Sequence, residues 1–557
     1  MKQEVRTTEP EESPSDLAGT FDVLIIGAGF GGLALLRKLR DLGFSVRVLE
    51  AASGPGGTWF ANRYPGARCD VESLQYSYQF SAELQQEWQW TERYAAQPEI
   101  LDYVNHVVER FDLAKDISFC TRVTSAVFCD DDNTWTIDTQ QGGQYRANHC
   151  ILATGPLSST NMPDIPGLGQ FQGTIHHTGA WPHEPVSFEG QRVVVVGTGS
   201  SGIQAIPMIA REAEQLYVMQ RTAGYCVPAR NRQLDSGELE AVTSSYAELR
   251  TYWRSLPAAM GRTFPPPAGI GQTSALAVSD EEREQVFEAA WADGGSSFAR
   301  CFSDLTTNAA ASRLAAGFIG RKIAETVKDP VAADLLTPRQ LFGTKRLCLD
   351  IDYYETYNRP NVTLVDVSAS PITEVTETGI RAGDQNYDVD AIVFATGFDA
   401  MTGAILSMDV RGRRGLALAD AWAAGPKTYL GLGVAGFPNL FIVAGPGSPA
   451  VLSNVITAIE HQVDWIADCL VHMRAHGIEA IEAEQQAQQA WVKHVNEISK
   501  MTLFWEGNSW YLGANIVGKP RVFMPYVGFP AYVAKCSAAA ASGYEGFALS
   551  PQLVPAD

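Results

Sequence analysis

Two glycine-rich turns constrain the fold of this chain more than any other feature. The first turn covers residues 27–32 and follows the apolar run VLII, and the second covers residues 197–202 and follows VVVV. An amphipathic stretch and a further apolar run follow each turn, which is the order of a βαβ unit that binds a dinucleotide. The sequence therefore predicts an α/β protein with two Rossmann-like dinucleotide-binding domains.

The first turn contains the spacing G-x-G-x-x-G. We expect Gly27 to allow the tight turn, Gly29 to let the backbone approach a pyrophosphate, and Gly32 to allow close packing of helix on strand. Glu50 ends the next apolar run, where a carboxylate accepts a hydrogen bond from a ribose 2′-hydroxyl. The free N–H groups of the helix would face the phosphates.

The second turn repeats this spacing but lacks the acid. Its residues are Gly197, Thr198, Gly199, Ser200, Ser201 and Gly202. Gln220 stands where the acid would be, and Arg221 and Thr222 follow it. A carboxylate would repel a 2′-phosphate, whereas an arginine pairs with one. The second site is therefore predicted to bind NADPH and the first to bind FAD.

Composition excludes several other classes of protein. The net charge of −21 argues against nucleic acid or an anionic membrane as the main partner. None of the nine cysteines forms a C-x-x-C pair, so we expect free thiols in a reducing cytoplasm and no metal site. No apolar run is long enough for a membrane span, and the polar start is not a signal peptide.

The pattern along the chain predicts the domain organisation. Residues 231–338 have helical periodicity, with a capping box at Ser279 and Glu282 and a break at Pro265–Pro267. The predicted division is a disordered leader (1–20), an FAD-binding domain (21–155 and 391–557), an NADPH-binding domain (156–230 and 339–390) and a helical insertion (231–338).

A specific motif precedes the second glycine turn. Its defined positions are Phe171, Gly173, His177, Trp181 and Pro182. The segment resembles the F-x-G-x-x-x-H-x-x-x-W-P fingerprint of Baeyer–Villiger monooxygenases. Flavin enzymes that oxidise nitrogen or sulfur have a similar motif without the Trp-Pro ending. The resemblance implies that His177 helps to link the cofactor domains and is not a general base.

The resemblance extends over the chain from about Phe21, and the chain looks close to the phenylacetone and steroid monooxygenase branch of the family. It rests on GGTWFANRYPGARCDVES (56–73), ERYAAQPEI (92–100), FGTKR (342–346), YYETYNR (353–359), ATGFDAMTG (395–403), AGPGSP (444–449) and SWYLGANIVGKPR (509–521).

The resemblance also implies roles for individual residues. Arg346 would lie beside the flavin and stabilise a C4a-peroxyflavin anion, with Asp70 as its ion-pair partner. Lys345 would join Arg221 and Thr222 around the NADPH 2′-phosphate. Further contacts are implied for Thr58, Trp59, Tyr76 and the Val123 backbone with FAD, for Trp510 with the nicotinamide cofactor, and for Ala450, Val451 and Leu452 with the substrate.

The implied activity is insertion of one oxygen atom of O2 next to a ketone carbonyl, giving an ester or lactone, with sulfoxidation as a side reaction. We expect a cytoplasmic monomer or weak dimer whose partners are a small ketone and O2. An enzyme that oxygenates nitrogen or sulfur is the main alternative. An NADPH oxidase without an organic substrate and a non-catalytic nucleotide-binding protein are the others.

Overall fold

The computed structural model of the protein describes residues 17–263 and 271–551. The first strand begins at Leu17 rather than Phe21, because residues 17–20 continue the pairing of this strand with a neighbour. The predicted leader is therefore wrong over these four residues, and its remainder lies outside the described residues. The proline run Pro265–Pro267 also lies outside them.

The strands within the described residues are β1 (Leu17–Ile26), β2 (Val46–Leu49), β3 (Ile117–Ser118), β4 (Val123–Cys129), β5 (Thr134–Thr139), β6 (Gln144–Leu152), β7 (Thr174–His177), β8 (Arg192–Val196), β9 (Gln215–Gln220), β10 (Cys226–Pro228), β11 (Cys348–Asp350), β12 (Val362–Asp366), β13 (Ile372–Val375), β14 (Gly379–Ala382), β15 (Gln385–Asp388), β16 (Ala391–Phe394), β17 (Asp409–Arg411), β18 (Leu440–Ile442), β19 (Ile478–Ala483) and β20 (Phe547–Pro551).

The α-helices are α1 (Phe30–Asp41), α2 (Thr58–Ala61), α3 (Ala82–Glu87), α4 (Gln97–Arg110), α5 (Ser200–Glu212), α6 (Ser236–Ser244), α7 (Tyr246–Ser255), α8 (Asp280–Asp293), α9 (Ala309–Thr326), α10 (Pro330–Leu336), α11 (Tyr353–Thr356), α12 (Gly403–Leu406), α13 (Leu418–Ala421), α14 (Val455–His476), α15 (Gln485–Ser499) and α16 (Phe529–Ala541). In the described part of the chain, no helix is both long and apolar enough to cross a membrane.

The first sheet is built around β1, which is covered on both faces. Its strand order is β17-β4-β5-β6-β1-β2-β3, and β18 also pairs with β6. Val23 and Ile25 of β1 pack in the same cluster as the buried side of α1, whereas Leu24 and Ile26 pack on the opposite face. Burial of each such side chain contributes about 1.5–3 kcal/mol, which explains the unbroken apolar run in the sequence.

The second sheet is fully parallel and has the order β12-β9-β8-β16-β7. Residues of β8 alternate between two buried clusters in the same way as those of β1. The strand Ala391–Phe394 pairs with β7 and β8 in this sheet. The predicted domain boundary at residue 391 is therefore wrong, because this apolar strand completes the second sheet before the chain returns to the first.

Helices α6 to α10 lie between β10 and β11 in the chain and form the helical region that was predicted over residues 231–338. The predicted capping box is confirmed, since the Ser279 side chain accepts a hydrogen bond from the Glu282 N–H and the Glu282 carboxylate accepts one from the Ser279 N–H. The amide of Gln220 donates to the carbonyl of Leu335 at the end of α10 (2.8 Å), which ties this helical region to the second sheet.

Two crossover segments connect the sheets, and they pair with each other. Residues 153–161 follow β6 and residues 395–401 follow β16. The N–H of Asp399 donates to the carbonyl of Ser159 (2.8 Å), and the N–H of Asn161 donates to that of Gly397 (2.9 Å). The two segments that connect the domains therefore run side by side. They lie between the domain that contains β1 and the domain that contains β8.

Replacing Gly32 with alanine is expected to destabilise the first domain. A Cβ at Gly32 would overlap the carbonyl oxygen of Gly27. Overpacking of this kind costs about 1–3 kcal/mol. We therefore expect Gly32→Ala to lower the thermal midpoint and to weaken retention of FAD, measured by thermal unfolding with flavin fluorescence.

Gly317 supplies the control, because it is exposed within α9 and its added Cβ would meet open space. Gly317→Ala should be neutral or stabilising by about 0.5–1 kcal/mol. A Gly32→Ala protein as stable as the parent would disprove the packing role of this glycine.

Candidate active site

A cavity of about 1770 Å³ lies between the two sheets, at the carboxyl ends of β1 and β8. It exceeds the roughly 300–1,000 Å³ of a typical small-molecule site, and this edge of a parallel sheet is where dinucleotides bind. Most of the predicted site residues line it: Gly27, Gly29, Glu50, Thr58, Trp59, Asp70, Tyr76, Val123, Gly197, Thr198, Gly199, Ser200, Ser201, Arg221, Thr222, Lys345, Arg346, Val451 and Trp510.

The first glycine turn presents bare backbone to this cavity. Gly27 has a φ of 106°, and a Cβ there would come within 2.6 Å of the carbonyl oxygen of Ala153. The buried carboxylate of Glu50 accepts hydrogen bonds from the N–H groups of Ala28 (2.6 Å) and Ala52 (2.7 Å). A carboxylate has about four acceptor positions, so Glu50 can brace the turn and still accept a ribose hydroxyl. This cradle fits the predicted FAD site.

The second glycine turn has the same shape with a different electrostatic setting. Gly197 has a φ of 110°, and a Cβ on Gly199 would meet nothing within 4 Å. The buried side chain of Gln220 replaces the carboxylate, and its amide nitrogen is already bonded to the carbonyl of Leu335. The hydroxyl of Thr198 lies 3.3 Å from the Gln220 amide oxygen. Position 220 therefore places no carboxylate where it would repel a 2′-phosphate.

Two cations, Arg221 and Lys345, line this side of the cavity. Among the described residues, neither side chain forms an ion pair with a carboxylate. Burial lowers the pKa of the Lys345 ammonium, and the positive charge of Arg221 lowers it further. Two like charges that converge without a counterion indicate an anion-binding site. They fit the 2′-phosphate of NADPH, with Thr222 beside them.

Arg346 is fixed by three hydrogen bonds. Its Nε and Nη2 donate to the two carboxylate oxygens of Asp70, the second at 2.7 Å, and its Nη1 donates to the carbonyl of Val451 (2.7 Å). Its side chain remains 27% exposed, toward the cavity that it lines. Burial raises the pKa of Asp70, but the charge and hydrogen bonds of Arg346 outweigh this effect and bring the pKa below its ordinary value. The pair is therefore ionised at neutral pH.

The aromatic residues predicted to touch FAD form a buried unit. The indole N–H of Trp59 donates to the hydroxyl of Tyr76 (3.0 Å), and the rings meet edge to face. The side-chain amide of Gln97 donates to the carbonyl of Trp59 (2.6 Å), which holds α2 against α4. Trp510 lines the cavity from the opposite end of the chain. Their contacts with cofactors stay predictions.

The predicted substrate loop is only partly exposed to the cavity. Val451 lines it, whereas Ala450 is fully buried and neither Ala450 nor Leu452 is among the lining residues. The prediction is corrected here, because Ala450 adopts a φ of 26° and turns its side chain into the protein core. Ser453, Val455 and Ile459, which the sequence interpretation missed, line the cavity after the loop.

The fingerprint residues Phe171, Gly173, His177, Trp181 and Pro182 do not line the cavity. The ring of His177 is buried at the end of β7. Its Nδ1 accepts a hydrogen bond from the N–H of Gly179 (3.0 Å), and its Nε2 lies 3.3 Å from the hydroxyl of Thr396 in the second crossover. Burial lowers the pKa of His177. This placement fits the predicted linking role and not that of a base.

A further contact holds the Trp510 segment against the second crossover. The ammonium of Lys519 pairs with Asp399 and donates to the carbonyl of Ala400 (2.9 Å). The side chain of Asn515 donates to the carbonyl of Phe398 (2.8 Å). No local pattern reveals these contacts, because the partners are far apart in the sequence.

The sequence and fold of the chain are similar to those of known flavin-dependent enzymes. The family described as pyridine nucleotide-disulphide oxidoreductase matches residues 24–235. A Baeyer–Villiger monooxygenase of Pseudooceanicola batsensis is 42% identical over 96% of this chain and 97% of its own length. A phenazine N-monooxygenase of Lysobacter antibioticus is also 42% identical, over 95% of this chain and 97% of its own. The solved structure of an oxidised steroid monooxygenase bound to NADP is 48% identical, with a TM-score of 0.90 over 96% of this chain and all of that one.

The fold and the paired nucleotide sites define a flavin- and nicotinamide-dependent oxidoreductase. Within that class, the chain belongs to the Baeyer–Villiger monooxygenase family. The predicted α/β fold with two Rossmann-like domains, the cofactors FAD and NADPH, and the assignment as a monooxygenase are confirmed.

Arg221 and Lys345, the two cations that line the second nucleotide site, predict how NADPH binding depends on charge and pH. Arg221→Ala is expected to raise the KM for NADPH by about tenfold to a hundredfold, as for the loss of a charged hydrogen bond of about 1.5–3 kcal/mol, with little effect on NADH. Because the pKa of Lys345 is lowered, kcat/KM for NADPH should fall as pH rises through a value below the ordinary lysine pKa. In Arg221→Ala this fall should move to higher pH.

Arg211→Ala is the matched control, since Arg211 lies on α5 in the same domain but pairs with Asp352 and does not line the cavity. Steady-state kinetics over pH with both coenzymes would test the assignment. Equal losses for NADPH and NADH in Arg221→Ala would contradict a 2′-phosphate site.

Proposed function

We propose that the enzyme inserts one oxygen atom of O2 between the carbonyl carbon of a ketone and a neighbouring carbon, forming an ester or lactone. The observation that carries this proposal is Arg346, a permanently charged side chain fixed by Asp70 and the Val451 carbonyl at the wall of the cavity. Reduction by NADPH and activation of O2 are the chemistry that FAD supplies when bound. The residues of the chain supply position and charge.

The role of Arg346 follows from the charge that ketone oxygenation creates. An oxygen nucleophile that attacks a carbonyl carbon places negative charge on the carbonyl oxygen. A partly desolvated anion is costly without a nearby cation, and a guanidinium keeps its proton at working pH. A fixed donor group aimed at such an oxygen needs no reorganisation during the reaction. Three of the five N–H groups of Arg346 are used by Asp70 and Val451, and the Tyr511 side chain lies beside the same guanidinium, so at most two N–H groups are left for the reacting oxygens.

Asp70 acts as the positioning partner of that arginine. Because its pKa is lowered by Arg346, it stays ionised and offsets part of the positive charge of the guanidinium. The Arg346 side chain remains partly exposed to the cavity, so the N–H groups that its partners do not use can still reach a ligand there. The carbonyl of Val451 then sets the tilt of the guanidinium plane. The substrate loop and the charged group are thus directly coupled.

N-oxygenation is a second candidate function, because the phenazine N-monooxygenase covers almost the same length of chain at the same identity as the first relative. The two reactions need different forms of the oxidant: attack on a carbonyl uses an anion, whereas oxidation of nitrogen or sulfur uses an electrophile. The Trp181-Pro182 ending and the Lys345-Arg346 pair favour the ketone reaction.

A substrate panel separates these candidates. We expect NADPH consumption to rise with phenylacetone and the product to be an ester that contains one atom of labelled O2. Phenazine and thioanisole serve as the nitrogen and sulfur substrates in parallel reactions. Formation of N-oxide or sulfoxide without any ester would overturn the ketone assignment.

Substitution of Arg346 tests the mechanism. We expect Arg346→Ala to lower the rate of ester formation by about a hundredfold to a thousandfold, the effect of removing a donor to a developing oxyanion. Arg346→Lys should recover only part of the rate, because a lysine keeps the charge but cannot form the forked contact with Asp70.

Arg413 offers a matched control, since it is also an ion-paired arginine, bonded to Glu482 and Asp130, and lies outside the cavity. Arg413→Ala should keep the parental rate of ester formation. Flavin content and NADPH consumption are measured in each variant. Unchanged ester yield in an Arg346→Ala protein that retains FAD would rule out the proposed role.

We extend the proposal to the setting of the enzyme, which we take to be a monomer or weak dimer in the cytoplasm that acts on a small ketone with O2. The acidic net charge disfavours nucleic acid and anionic membranes as partners. All nine cysteines are free thiols, which suits a reducing compartment.

A further inference from the structure

Two cysteines that are far apart in the sequence are direct neighbours in the fold. Strands β10 and β11 are parallel, and their register pairs Cys226 with Cys348. Neighbouring strands lie about 4.7–4.9 Å apart, which is inside the Cα separation of roughly 4.4–6.8 Å found in disulfides. Directly paired residues also point to the same face of a sheet, so the side chains of Cys226 and Cys348 are neighbours on one face of this strand pair.

The two thiols differ in access and in ionisation. Cys348 lines the cavity, and its sulfur lies 3.3 Å from the hydroxyl of Ser200 in the second glycine turn. Cys226 is fully buried behind it. Hydrogen bonds from Cys226 and Ser200 lower the pKa of Cys348, whereas burial raises the pKa of Cys226. A thiolate is the reactive form of cysteine, so Cys348 is the thiol that an oxidant in the cavity meets first.

We propose that Cys226 and Cys348 form a peroxide-reactive thiol pair that closes to a disulfide beside the second nucleotide site. The oxidant is hydrogen peroxide, which flavin monooxygenases release when NADPH is oxidised without a substrate to oxygenate. Nothing in the ketone reaction requires these two thiols. The pair is therefore a modification site separate from Arg346 and Asp70.

The chemistry balances in two steps. The Cys348 thiolate attacks one oxygen of hydrogen peroxide, the O–O bond breaks, and the leaving hydroxide takes up a proton to form water. The resulting sulfenic acid is attacked by the Cys226 sulfur, which loses its proton as the S–S bond forms and the S–O bond breaks, releasing a second water. Two thiols are oxidised by two electrons, and one peroxide is reduced to two waters.

The position of the pair predicts its effect on coenzyme binding. Cys226 lies just after the Arg221 segment, and Cys348 lies two residues after Arg346. A disulfide would join these two segments covalently and would remove the thiol that contacts Ser200. We expect kcat/KM for NADPH to fall on oxidation and to return when the disulfide is reduced.

The direct test uses the FAD-loaded wild-type enzyme and added hydrogen peroxide, so it does not depend on the ketone reaction. After brief exposure, intact mass and peptide mapping should show loss of two of the nine thiols and a linked Cys226–Cys348 peptide pair. Treatment with dithiothreitol should restore both thiols and the activity with NADPH. Oxidation of the exposed Cys120 alone, with Cys226 and Cys348 still reduced, would overturn the proposal.

Variants separate the roles of the two sulfurs. Cys226→Ala should leave a sulfenic acid on Cys348 that dimedone traps, and Cys348→Ala should leave Cys226 unmodified by peroxide. Cys129→Ala is the control, since Cys129 lies on β4 outside the cavity, and it should form the disulfide as the parent does. Modification of Cys226 in the absence of Cys348 would contradict the order of the two steps. The wild-type peptide map decides the proposal even if a variant fails to fold.

Discussion

The ion pair between Asp70 and Arg346 connects parts of the chain that are 276 residues apart. Asp70 follows α2 on the side of the first sheet, and Arg346 precedes β11 on the side of the second. An opposite charge stabilises a charge in a partly buried site, and a forked contact also fixes the direction of both groups. The cavity, the substrate loop and the approach to both nucleotide sites are all arranged around this one contact. Its geometry therefore depends on correct assembly of both domains.

Charge is distributed unevenly in this acidic protein. The net charge is −21, yet Arg221 and Lys345 face the cavity without carboxylate partners among the described residues. A local positive region on a negative molecule directs anionic ligands to one place and weakens their binding elsewhere. The coenzyme carries several phosphates, whereas a ketone is neutral. The positive charges of Arg221 and Lys345 thus select the coenzyme, whereas selection of the ketone depends on the shape of the cavity.

Much of the fold could be predicted because its signals are local. Each glycine turn combines an apolar run, a fixed spacing and a following helix, and the structure contains both units as predicted. The capping box at Ser279 is local in the same sense. The strand Ala391–Phe394 was assigned to the FAD-binding domain because its apolar run fits either sheet. Only its hydrogen bonds with β7 and β8 show that it belongs to the second sheet.

The site was predictable to the extent that it depends on residue identity. The resemblance located Arg346 and Asp70, but it could not reveal the carbonyl of Val451 as the third partner, since a backbone contact leaves no trace in side-chain identity. Ala450 was assigned to the wrong surface because its direction depends on an unusual backbone angle. The neighbouring thiols Cys226 and Cys348 were missed for a different reason, since spacing rules for cysteine describe local pairs only.

The contact between Gln220 and Leu335 has a consequence for evolution and engineering. The usual route to NADH preference is to install an acid at the end of the second strand of the nucleotide unit, which here is Gln220. A carboxylate at that point would face the Leu335 carbonyl, and two acceptors would then meet where a donor and an acceptor now do. A switch of coenzyme would therefore also loosen the helical region from the sheet. Preference for the phosphorylated coenzyme is in this way built into the tertiary structure and is not confined to the binding pocket.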